Sequence, residues 1–442
     1  MIKQLLPLSW LACVALCSCS SVAPTVDGVA SDTEQAALPT FSDGFSYPIT
    51  NPLVATIAGT PAALQAQHAE PLRLKTKKLS QVQGRDIPAA LWYGSRLEYS
   101  YALQPTAAPL IFTIAGTGGY HDTGTNQLLM TAFFNAGYHV IGITSPSHPE
   151  FTIAVSDTSV PGHMQNDARD LYRVMALIRD DLDTKVEVTD YALAGFSLGG
   201  TQAAFVAMLD ATEQQFNFQK VLLLNPPVSL YNSISKLDLM LSAIPGGIDN
   251  FNNFFAKIID RIGAVYTRST QIEFNQDIVF EAFQAQPPSD DELAAIIGVA
   301  FRIAAANLIY TADVMTDFGF IKPSKLALNR NSRQNDYLQV ALRVGFTDYF
   351  HDFFWPFYQD QFDGDREAFA RSHSLLAIED FLKTANHIGV VHNEDDIILA
   401  PGEIDYLRGI FGARAMIYPR GGHLGNLGLQ QTQRDYIEFL QR

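Results

Sequence analysis

A G-x-S-x-G motif constrains this sequence more than any other feature. It runs from Gly195 to Gly199, with Ser197 at its centre, and a further glycine follows it. An apolar segment at 191–194 precedes the motif, and a good helix pattern covers residues 201–209. A serine on a sharp turn between a strand and a helix adopts strained backbone angles, and the glycines leave room for the two elements to cross closely. We interpret Ser197 as a candidate nucleophile; the alternative is a chance match in a turn of small residues.

Length and composition favour a large apolar core. The chain has 442 residues, which predicts more than one domain or one large domain with an insertion. Hydrophobic residues make up 47% of it and charged residues 17%, which is enough apolar material for a sizeable core. The formal net charge is −16. Because an acidic surface repels phosphate, the sequence argues against nucleic acid as a partner.

The first residues are typical of an export signal. After a positive start, an apolar stretch covers residues 5–16 and is too short to span a bilayer. Residues 16–19 read Leu-Cys-Ser-Cys, which resembles a bacterial lipobox. The resemblance implies cleavage before Cys19 and attachment of lipid to it, and Ser20 implies sorting to the outer membrane of the cell envelope. The alternative is a secreted or periplasmic protein, with cleavage near Ala23.

The cysteines and the segment after them support this interpretation. All three cysteines lie near the start: Cys13, Cys17 and Cys19. The mature body therefore has no cysteine for a disulfide, and we predict that its core alone stabilises it. The next residues are rich in Ser, Thr, Ala, Pro and Asp, which is typical of a flexible tether. We predict a signal peptide over residues 1–18 and a tether over residues 19–45.

The remaining chain alternates between strand and helix patterns. Two segments with strand alternation, 72–82 and 96–103, suit an antiparallel lead-in. The short apolar strands and amphipathic helices that follow indicate an α/β protein with a parallel sheet covered on both faces. The other predicted strands cover residues 109–115, 138–143, 191–194, 220–224, 387–391 and 413–418. The helices predicted with them cover residues 126–136, 163–182, 201–209, 402–410 and 424–441.

This alternation stops in the middle of the chain, where helix patterns dominate. We predict one parallel-sheet core in two parts, 46–227 and 386–442, with a helical cap over residues 228–385 inserted between them. Ser289 and Glu292 have the spacing of a capping box at the start of one cap helix. The predicted cap helices cover residues 234–242, 250–266, 290–316 and 366–383.

Two apolar segments of the cap have two interpretations each. Residues 293–310 are almost all apolar, but Arg302 lies at their middle, where it would cost roughly 2.5–3.5 kcal/mol in a membrane. We therefore predict a buried cap helix, with a helix lying on a membrane as the alternative. Residues 346–358 carry eight aromatic rings. These rings are typical of cap core; the alternative is an apolar wall over Ser197, suited to an acyl chain or to membrane contact.

A serine nucleophile needs a base and a group that orients the base. His423 follows the last predicted strand in a glycine-bordered loop, and Asp395 and Asp396 follow the strand before it. Because the carboxyl ends of parallel strands meet at one edge of a sheet, we expect these side chains to lie near Ser197. We predict that His423 takes the proton of the serine and that Asp396 orients the imidazole, with Asp395 as the alternative acid.

With a serine, an acid and a histidine in this order, the sequence resembles the α/β-hydrolase superfamily over residues 72–442, apart from the insertion. The resemblance implies an eight-stranded, mostly parallel sheet with a helical cap inserted between strands 6 and 7. It also implies a nucleophile turn at Gly195–Gly199 and an oxyanion hole made by the backbone amides of Thr117 and Leu198. The histidine that the family often has in the loop of Thr117 is absent here.

Four other histidines have weaker interpretations. His148 and His163 flank the loop after the strand at 138–143; we interpret them as ordinary loop residues, with a place in the site as the alternative. His387, which we place inside a strand, and His392, which we place in the loop after it, lack metal-ligand spacing, so no metal is predicted. The loop at 116–119 lacks a phosphate-binding pattern, and no cofactor is predicted.

Together these features predict a serine hydrolase that cleaves carboxylic esters through an acyl-enzyme, with a lipid or acyl ester as the expected substrate. Amidases, peptidases and thioesterases use the same groups, and the sequence does not separate them. The alternative function is a catalytically inactive lipoprotein that binds a lipid or a protein partner. The predicted contacts are a small-molecule or lipid ester and a membrane, reached through the anchor at Cys19.

Overall fold

A computed structural model describes most of the chain. The described residues are 44–68, 72–79, 85–182, 187–250, 253–254, 256–257 and 287–442. The predicted signal peptide, Cys19 and almost all of the predicted tether lie outside them. The predicted helix at 250–266 also lies largely outside the described residues.

Eight strands of the described residues form one mostly parallel sheet. They are β1 Lys75–Lys78, β2 Glu98–Ala102, β3 Ala108–Ile114, β4 His139–Ile143, β5 Val188–Phe196, β6 Lys220–Leu224, β7 Ile388–Asn393 and β8 Ala415–Tyr418. Their order across the sheet is β1-β2-β4-β3-β5-β6-β7-β8. Strand β2 is antiparallel to β1 and β4, and all other neighbours pair in parallel. The predicted eight-stranded, mostly parallel sheet with an antiparallel lead-in is confirmed.

Helices precede the sheet, alternate with its strands and fill the insertion between β6 and β7. In chain order they are α1 Pro52–Ala58, α2 Gly124–Asn135, α3 Pro149–Ala154, α4 Met164–Leu182, α5 Leu198–Glu213, α6 Leu230–Met240, α7 Asp290–Thr316, α8 Gln334–Ala341, α9 Phe346–Tyr349, α10 Trp355–Tyr358, α11 Arg366–Ser372, α12 Glu379–Thr384, α13 Glu403–Phe411 and α14 Gln430–Gln441. A π-helical turn, Phe350–Phe354, joins α9 to α10.

Both faces of the sheet are buried. Along β3, Phe112 and Ile114 belong to one apolar cluster and Ile111 to another, because successive side chains of a strand point to opposite faces. The first cluster includes apolar residues of α4, α5 and the insertion, and the second includes residues of α2 and α14. The near-continuous apolar strands seen in the sequence therefore belong to a sheet covered on both sides.

Helix α7 is the longest helix of the insertion. Its capping box is confirmed, because the backbone N–H of Glu292 donates to the Ser289 hydroxyl and the Ser289 N–H donates to the Glu292 carboxylate. The helix is long and apolar enough to cross a membrane, but 83% of its apolar window is buried inside the protein. Arg302 is buried too, with its guanidinium 3.6 Å from the Asp238 carboxylate. The predicted buried cap helix is therefore confirmed.

Two predicted helices differ most from the observed ones. The segment 366–383 is two helices, α11 and α12, because the chain between them leaves helical geometry: the Leu375 N–H donates to the carbonyl of Val228. The segment 424–441 becomes helical only at α14, because Leu424 has φ 70°, a conformation that a right-handed helix does not accept.

Every strand except β6 differs from its predicted ends by at least one residue. Strand β7 extends to Asn393, so His387 precedes the strand and His392 lies inside it, the reverse of the prediction. Burial of the strand continues past Val391, which was predicted to be the last strand residue, because the polar residues His392 and Asn393 are fully buried as well. Strand β1 is shorter than the predicted segment 72–82, whose last residues lie outside the described part of the chain.

Candidate active site

Ser197 lies in the turn between β5 and α5, with φ 54° and ψ −128°. This conformation is strained for a residue with a side chain. The turn is possible because its neighbours lack side chains: a Cβ on Gly195 would lie 2.1 Å from the carbonyl oxygen of Gly199, and one on Gly199 would lie 2.4 Å from that of Ile114. The motif glycines therefore let α5 pass close to β5 and β3, with Ser197 at the carboxyl edge of the sheet.

The sheet order and this turn together specify a known architecture. One antiparallel strand lies second in an otherwise parallel eight-stranded sheet, and the strained serine follows the fifth strand and begins a helix. The chain has the α/β-hydrolase fold. In this example of the α/β-hydrolase fold, the helical insertion follows β6, on the same edge as the serine.

Ser197, His423 and Asp396 form one line of hydrogen bonds. His423, in the loop between β8 and α14, is fully buried, and its Nε2 lies 2.9 Å from Ser197 Oγ. Its Nδ1 lies 2.9 Å from Oδ2 and 3.2 Å from Oδ1 of Asp396, which follows β7. With the proton on Nδ1, the imidazole donates to the carboxylate and accepts from the serine hydroxyl. The line joins the three residues that the sequence predicted.

The environment of Asp396 favours the ionised carboxylate. Its Oδ2 accepts a hydrogen bond of 2.8 Å from the Asn225 side chain, and its Oδ1 accepts one of 3.1 Å from the Ile398 backbone. Burial by itself would raise the pKa of Asp396. Attraction to His423 and His392 and the hydrogen bonds outweigh burial, and they hold the pKa below its usual value.

Asp395, the alternative acid, faces a different group. Its Oδ1 accepts a 2.8 Å hydrogen bond from the Gly422 backbone. Burial raises the pKa of Asp395 to about 6, although this hydrogen bond opposes the shift. Asp395 therefore supports the backbone of the histidine loop, and Asp396 is the carboxylate beside the imidazole.

His392 is a second histidine close to Asp396. Its Nε2 lies 3.2 Å from the carbonyl oxygen of Pro226, and its Nδ1 accepts a 3.0 Å hydrogen bond from the Asn393 N–H. Burial lowers the pKa of His392, more than Asp396 raises it. His392 is therefore a buried side chain that packs beside the acid. Among the described residues, no three His, Cys, Asp or Glu side chains form a group that could hold a metal ion.

The predicted oxyanion donors lie beside the serine. Thr117 and Leu198 both line the cavity that contains Ser197. In the described part of the chain, neither backbone N–H has an acceptor. The Leu198 N–H is the first of α5, where the helix dipole favours negative charge. Two free N–H groups beside a serine hydroxyl could hold an oxyanion.

The glycine loop of Thr117 is fixed by serines that the sequence did not identify. The Gly118 N–H donates to Ser147 Oγ at 2.8 Å, and the Ser145 N–H donates to the Gly119 carbonyl at 3.0 Å. Both serines follow β4, next to the strand that leads into the glycine loop. The signal that could have found them is their position at a strand end on the predicted edge.

A cavity with about 790 Å³ of empty space, part of it open to solvent, contains Ser197. Small-molecule sites have comparable volumes. The core contributes Thr117, Ser147 and Ser197, whereas the insertion contributes an apolar wall. The wall residues are Leu230, Ile234, Leu237, Phe301, Leu308, Phe346, Tyr349, Phe350 and Phe354. The insertion packs directly on the glycine loop, because a Cβ on Gly118 would lie 3.1 Å from Cβ of Ala304.

The aromatic segment 346–358 serves both as cap core and as cavity wall. Phe350 and Phe354 line the cavity, whereas Phe353 is fully buried in the cap and stacks on Phe318 with 4.5 Å between ring centroids. The π-helical turn lies at the middle of this segment. The two interpretations of the sequence therefore apply to different rings of one segment.

His148 and His163 do not line the cavity. His148 accepts a 3.2 Å hydrogen bond from the Glu150 N–H and caps α3. His163 lies 4.8 Å, between ring centroids, from His373, a cavity residue that the sequence did not identify. Burial lowers the pKa of both His148 and His163 to about 4. Both are packed histidines at the ends of loops, which agrees with their interpretation as ordinary loop residues.

Neither a protein-family model nor a curated protein matches the sequence. Solved structures with a similar chain course include an esterase from Pyrococcus furiosus, with 10% identity, a TM-score of 0.38 and coverage of 84% of this chain and 91% of that one. An esterase from Rhizomucor miehei has 11% identity, a TM-score of 0.40 and 84% coverage of both chains. A proline iminopeptidase-related protein from Thermus thermophilus has 13% identity, a TM-score of 0.39 and coverage of 84% and 98%. At such identities the likeness gives no information on the substrate.

Proposed function

We propose that this protein is a serine hydrolase that cleaves carboxylic esters with an apolar acyl group. One observation carries the proposal: the hydrogen-bonded line of Ser197, His423 and Asp396 ends in an apolar cavity. A serine in contact with a buried imidazole is an activated nucleophile. The free N–H groups of Thr117 and Leu198 supply the second requirement of acyl transfer, a place for the oxyanion.

In the first half of the proposed reaction, Ser197 Oγ attacks the ester carbonyl carbon while His423 Nε2 takes the hydroxyl proton. Asp396 keeps the imidazole oriented and stabilises its cationic form. The carbonyl oxygen becomes an oxyanion and accepts hydrogen bonds from the amides of Thr117 and Leu198. The tetrahedral intermediate then expels the alcohol, which receives the proton from His423, and the acyl group stays on Ser197 as an ester.

In the second half, water attacks the acyl-enzyme. His423 takes a proton from the water, and the hydroxide adds to the acyl carbon. As the second tetrahedral intermediate collapses, its bond to Ser197 Oγ breaks and His423 returns the proton to that oxygen. The products are the carboxylic acid and the free enzyme, so the reaction consumes one water and needs no cofactor.

The cavity lining supports an uncharged, apolar acyl group. None of the lining residues is an Asp, Glu, Lys or Arg, and most of them are aliphatic or aromatic. A charged acyl group would lose its hydration without gaining an ion pair. An alkyl chain, in contrast, gains roughly 0.8 kcal/mol for each buried CH₂. We therefore expect activity to rise with acyl length until the chain fills the cavity.

A fluorophosphonate probe tests the nucleophile. We expect the wild-type protein to be labelled and Ser197→Ala to remain unlabelled. Ser235→Ala, a hydroxyl deletion on α6 outside the cavity lining, is the matched control and should be labelled like wild type. Equal labelling of wild type and Ser197→Ala, or no labelling of either, would refute the proposed hydrolase.

A series of p-nitrophenyl esters from acetate to palmitate tests the substrate class. We expect kcat/KM to pass through a maximum at an intermediate or long acyl chain. Assays with and without detergent micelles then distinguish a lipase from a hydrolase of small soluble esters. Only a lipase should gain activity at the micelle surface. Highest activity on acetate would contradict an acyl-binding cavity.

We also propose that the protein is exported and anchored to the outer membrane through Cys19. The support lies in the sequence alone: an apolar leader at 5–16, the Leu-Cys-Ser-Cys segment at 16–19 and the polar segment that follows. Cys19→Ser should move the protein from the membrane fraction to the soluble fraction, whereas Cys13→Ser should not. Retention of Cys19→Ser in membranes would show that the anchor lies elsewhere.

A further inference from the structure

The loop after Asp396 is buried without regular secondary structure. Ile397, Ile398 and Leu399 are each at most 5% exposed and lie between β7 and α13 outside any helix or strand. Buried carbonyl groups need hydrogen-bond partners, and a loop without secondary structure must obtain them from elsewhere. The partners of this loop therefore decide where its backbone lies.

The insertion supplies these partners through one helix. On α6, Ser233 Oγ donates to the carbonyl of Ile398 at 2.8 Å. One turn later, Lys236 Nζ donates to the carbonyl of Ile397 at 3.2 Å and to that of Leu399. Three successive carbonyls of the loop thus accept hydrogen bonds from two side chains of the same helix.

A third side chain of α6 anchors the end of the loop. Asn232 Nδ2 donates to Glu403 Oε1 at 2.9 Å, and Glu403 Oε2 accepts a 2.8 Å hydrogen bond from the Ala400 N–H. Asn232 and Lys236 are four residues apart, so they project from the same side of the helix. The contact surface between α6 and the loop is therefore continuous.

The same loop contacts the acid directly. The Ile398 N–H donates to Asp396 Oδ1 at 3.1 Å, and the Ile398 side chain lines the cavity. A shift of the loop would move this N–H away from the carboxylate. Lys236 is absent from the cavity lining, so it can affect catalysis only through the loop or through its charge.

We propose that Lys236 and Ser233 are positioning residues, which hold the loop of Asp396 in the geometry that His423 requires. The proposal rests on the proposed hydrolase function and deepens it. It makes α6 part of the catalytic apparatus, although the helix belongs to the insertion. A cap that moves must then leave α6 in place, or else release the acid loop.

Kinetics of Lys236 variants test the proposal with p-nitrophenyl butyrate, per active site titrated with fluorophosphonate. Lys236→Met should lower kcat roughly ten- to hundredfold, the loss expected for a misplaced catalytic group, while KM stays close to that of wild type. Lys236→Arg keeps donors at this position and should restore most of kcat. Lys383→Met, a surface lysine paired with Glu379, is the matched control and should behave like wild type.

A double-mutant cycle shows whether Lys236 acts through the acid. In an Asp396→Asn background, Lys236→Met should have no further effect on the rate of probe labelling. An undiminished effect in that background, or a kcat of Lys236→Met equal to wild type, would overturn the proposal. If Lys236→Met proves poorly folded by its thermal midpoint, Ser233→Ala, which deletes one oxygen, replaces it in the cycle.

The outcomes separate this proposal from the function on which it rests. If wild-type protein neither hydrolyses esters nor reacts with the probe, both the hydrolase function and the positioning role are refuted. Active wild-type protein with fully active Lys236→Met and Ser233→Ala would remove the positioning role alone.

Discussion

The sheet edge and the helical insertion form opposite sides of the cavity with different kinds of side chain. At the sheet edge, Ser197, Asp396 and His423 lie in turns directly after strands, and hydrogen bonds orient each of them. The insertion contributes mainly apolar side chains, most of which have no polar group to orient them. Polar chemistry depends on placement to a fraction of an ångström, whereas an apolar wall depends on volume. Changes on the two sides should therefore alter different kinetic parameters.

The largest effect should come from the acid at the sheet edge. Asp396→Asn removes the negative charge and favours the wrong imidazole tautomer, and we expect kcat to fall roughly 10⁴-fold. Asp395→Asn is the matched control, since its side chain faces the Gly422 backbone, and we expect less than about a tenfold loss. Equal losses in steady-state assays of the two variants would break the assignment of the acid.

The close crossing of α5 and β5 should be the most sensitive point of the sheet for stability. Gly195→Ala places a methyl group against the Gly199 carbonyl, and we expect the free energy of unfolding to fall by at least roughly 3 kcal/mol. In α13, Gly409→Ala meets no atom within 4 Å and should stabilise by up to roughly 1 kcal/mol. Denaturant titrations measure both. A Gly195→Ala variant with the same free energy of unfolding as wild type would contradict the tight crossing.

A volume change on the insertion should alter substrate preference and spare the chemistry. Ile234→Trp on α6 narrows the cavity, and we expect kcat/KM to fall roughly ten- to hundredfold for long acyl esters, with little change for the acetate ester. Leu239→Trp, on the same helix but 68% exposed, is the control. A uniform loss across the ester series would mean that the wall and the chemistry are not separable.

The contact between the core and the insertion at His163 should give a smaller effect, a pH-dependent contribution to stability. His163 precedes the core helix α4 and packs on His373 of the insertion, and burial lowers its pKa from 6.5 to about 4. As the pH falls, the unfolded chain therefore binds a proton at His163 before the folded chain does. The stability that His163 contributes is complete above about pH 6.5 and is lost progressively as the pH falls towards about 4.

Comparison of wild type with His163→Gln isolates this contribution from that of nearby Asp167, whose pKa burial raises to about 7 and whose effect has the opposite sign. Between about pH 7 and about pH 5.5, wild type should lose about 1 kcal/mol more than the variant. Thermal unfolding across this range measures the difference. A difference that does not depend on pH would mean that His163 is not neutral in the fold.

Prediction from the sequence succeeded better for the sheet than for the insertion. Strand β6 was predicted with its true ends, and most other strands were predicted to within a few residues, because each is a short apolar run bounded by polar residues. In the insertion, α7 was predicted correctly from its capping box, but α8 was not predicted at all. Helix α8 has only eight residues, fewer than the window over which helical periodicity gives a clear signal.

The acid shows where sequence information ends. Asp395 and Asp396 are adjacent and chemically equal, and only the end of β7 at Asn393 decides which one faces His423. The predicted strand ended two residues earlier, so the direction of each side chain could not be derived. Lys236 gave no signal for the same reason, since its partners lie more than 150 positions away along the chain.

The sequence by itself determined the nucleophile turn, the alternation that builds the sheet and the order of the three candidate catalytic residues. These depend on neighbouring residues, whose backbone conformations and side-chain periodicity are properties of a short segment. Only the tertiary structure decided which carboxylate meets the imidazole, which rings line the cavity and which helix of the insertion holds the acid loop. Those contacts join residues far apart in the chain, and they are fixed by how the elements pack and by which buried polar groups find partners.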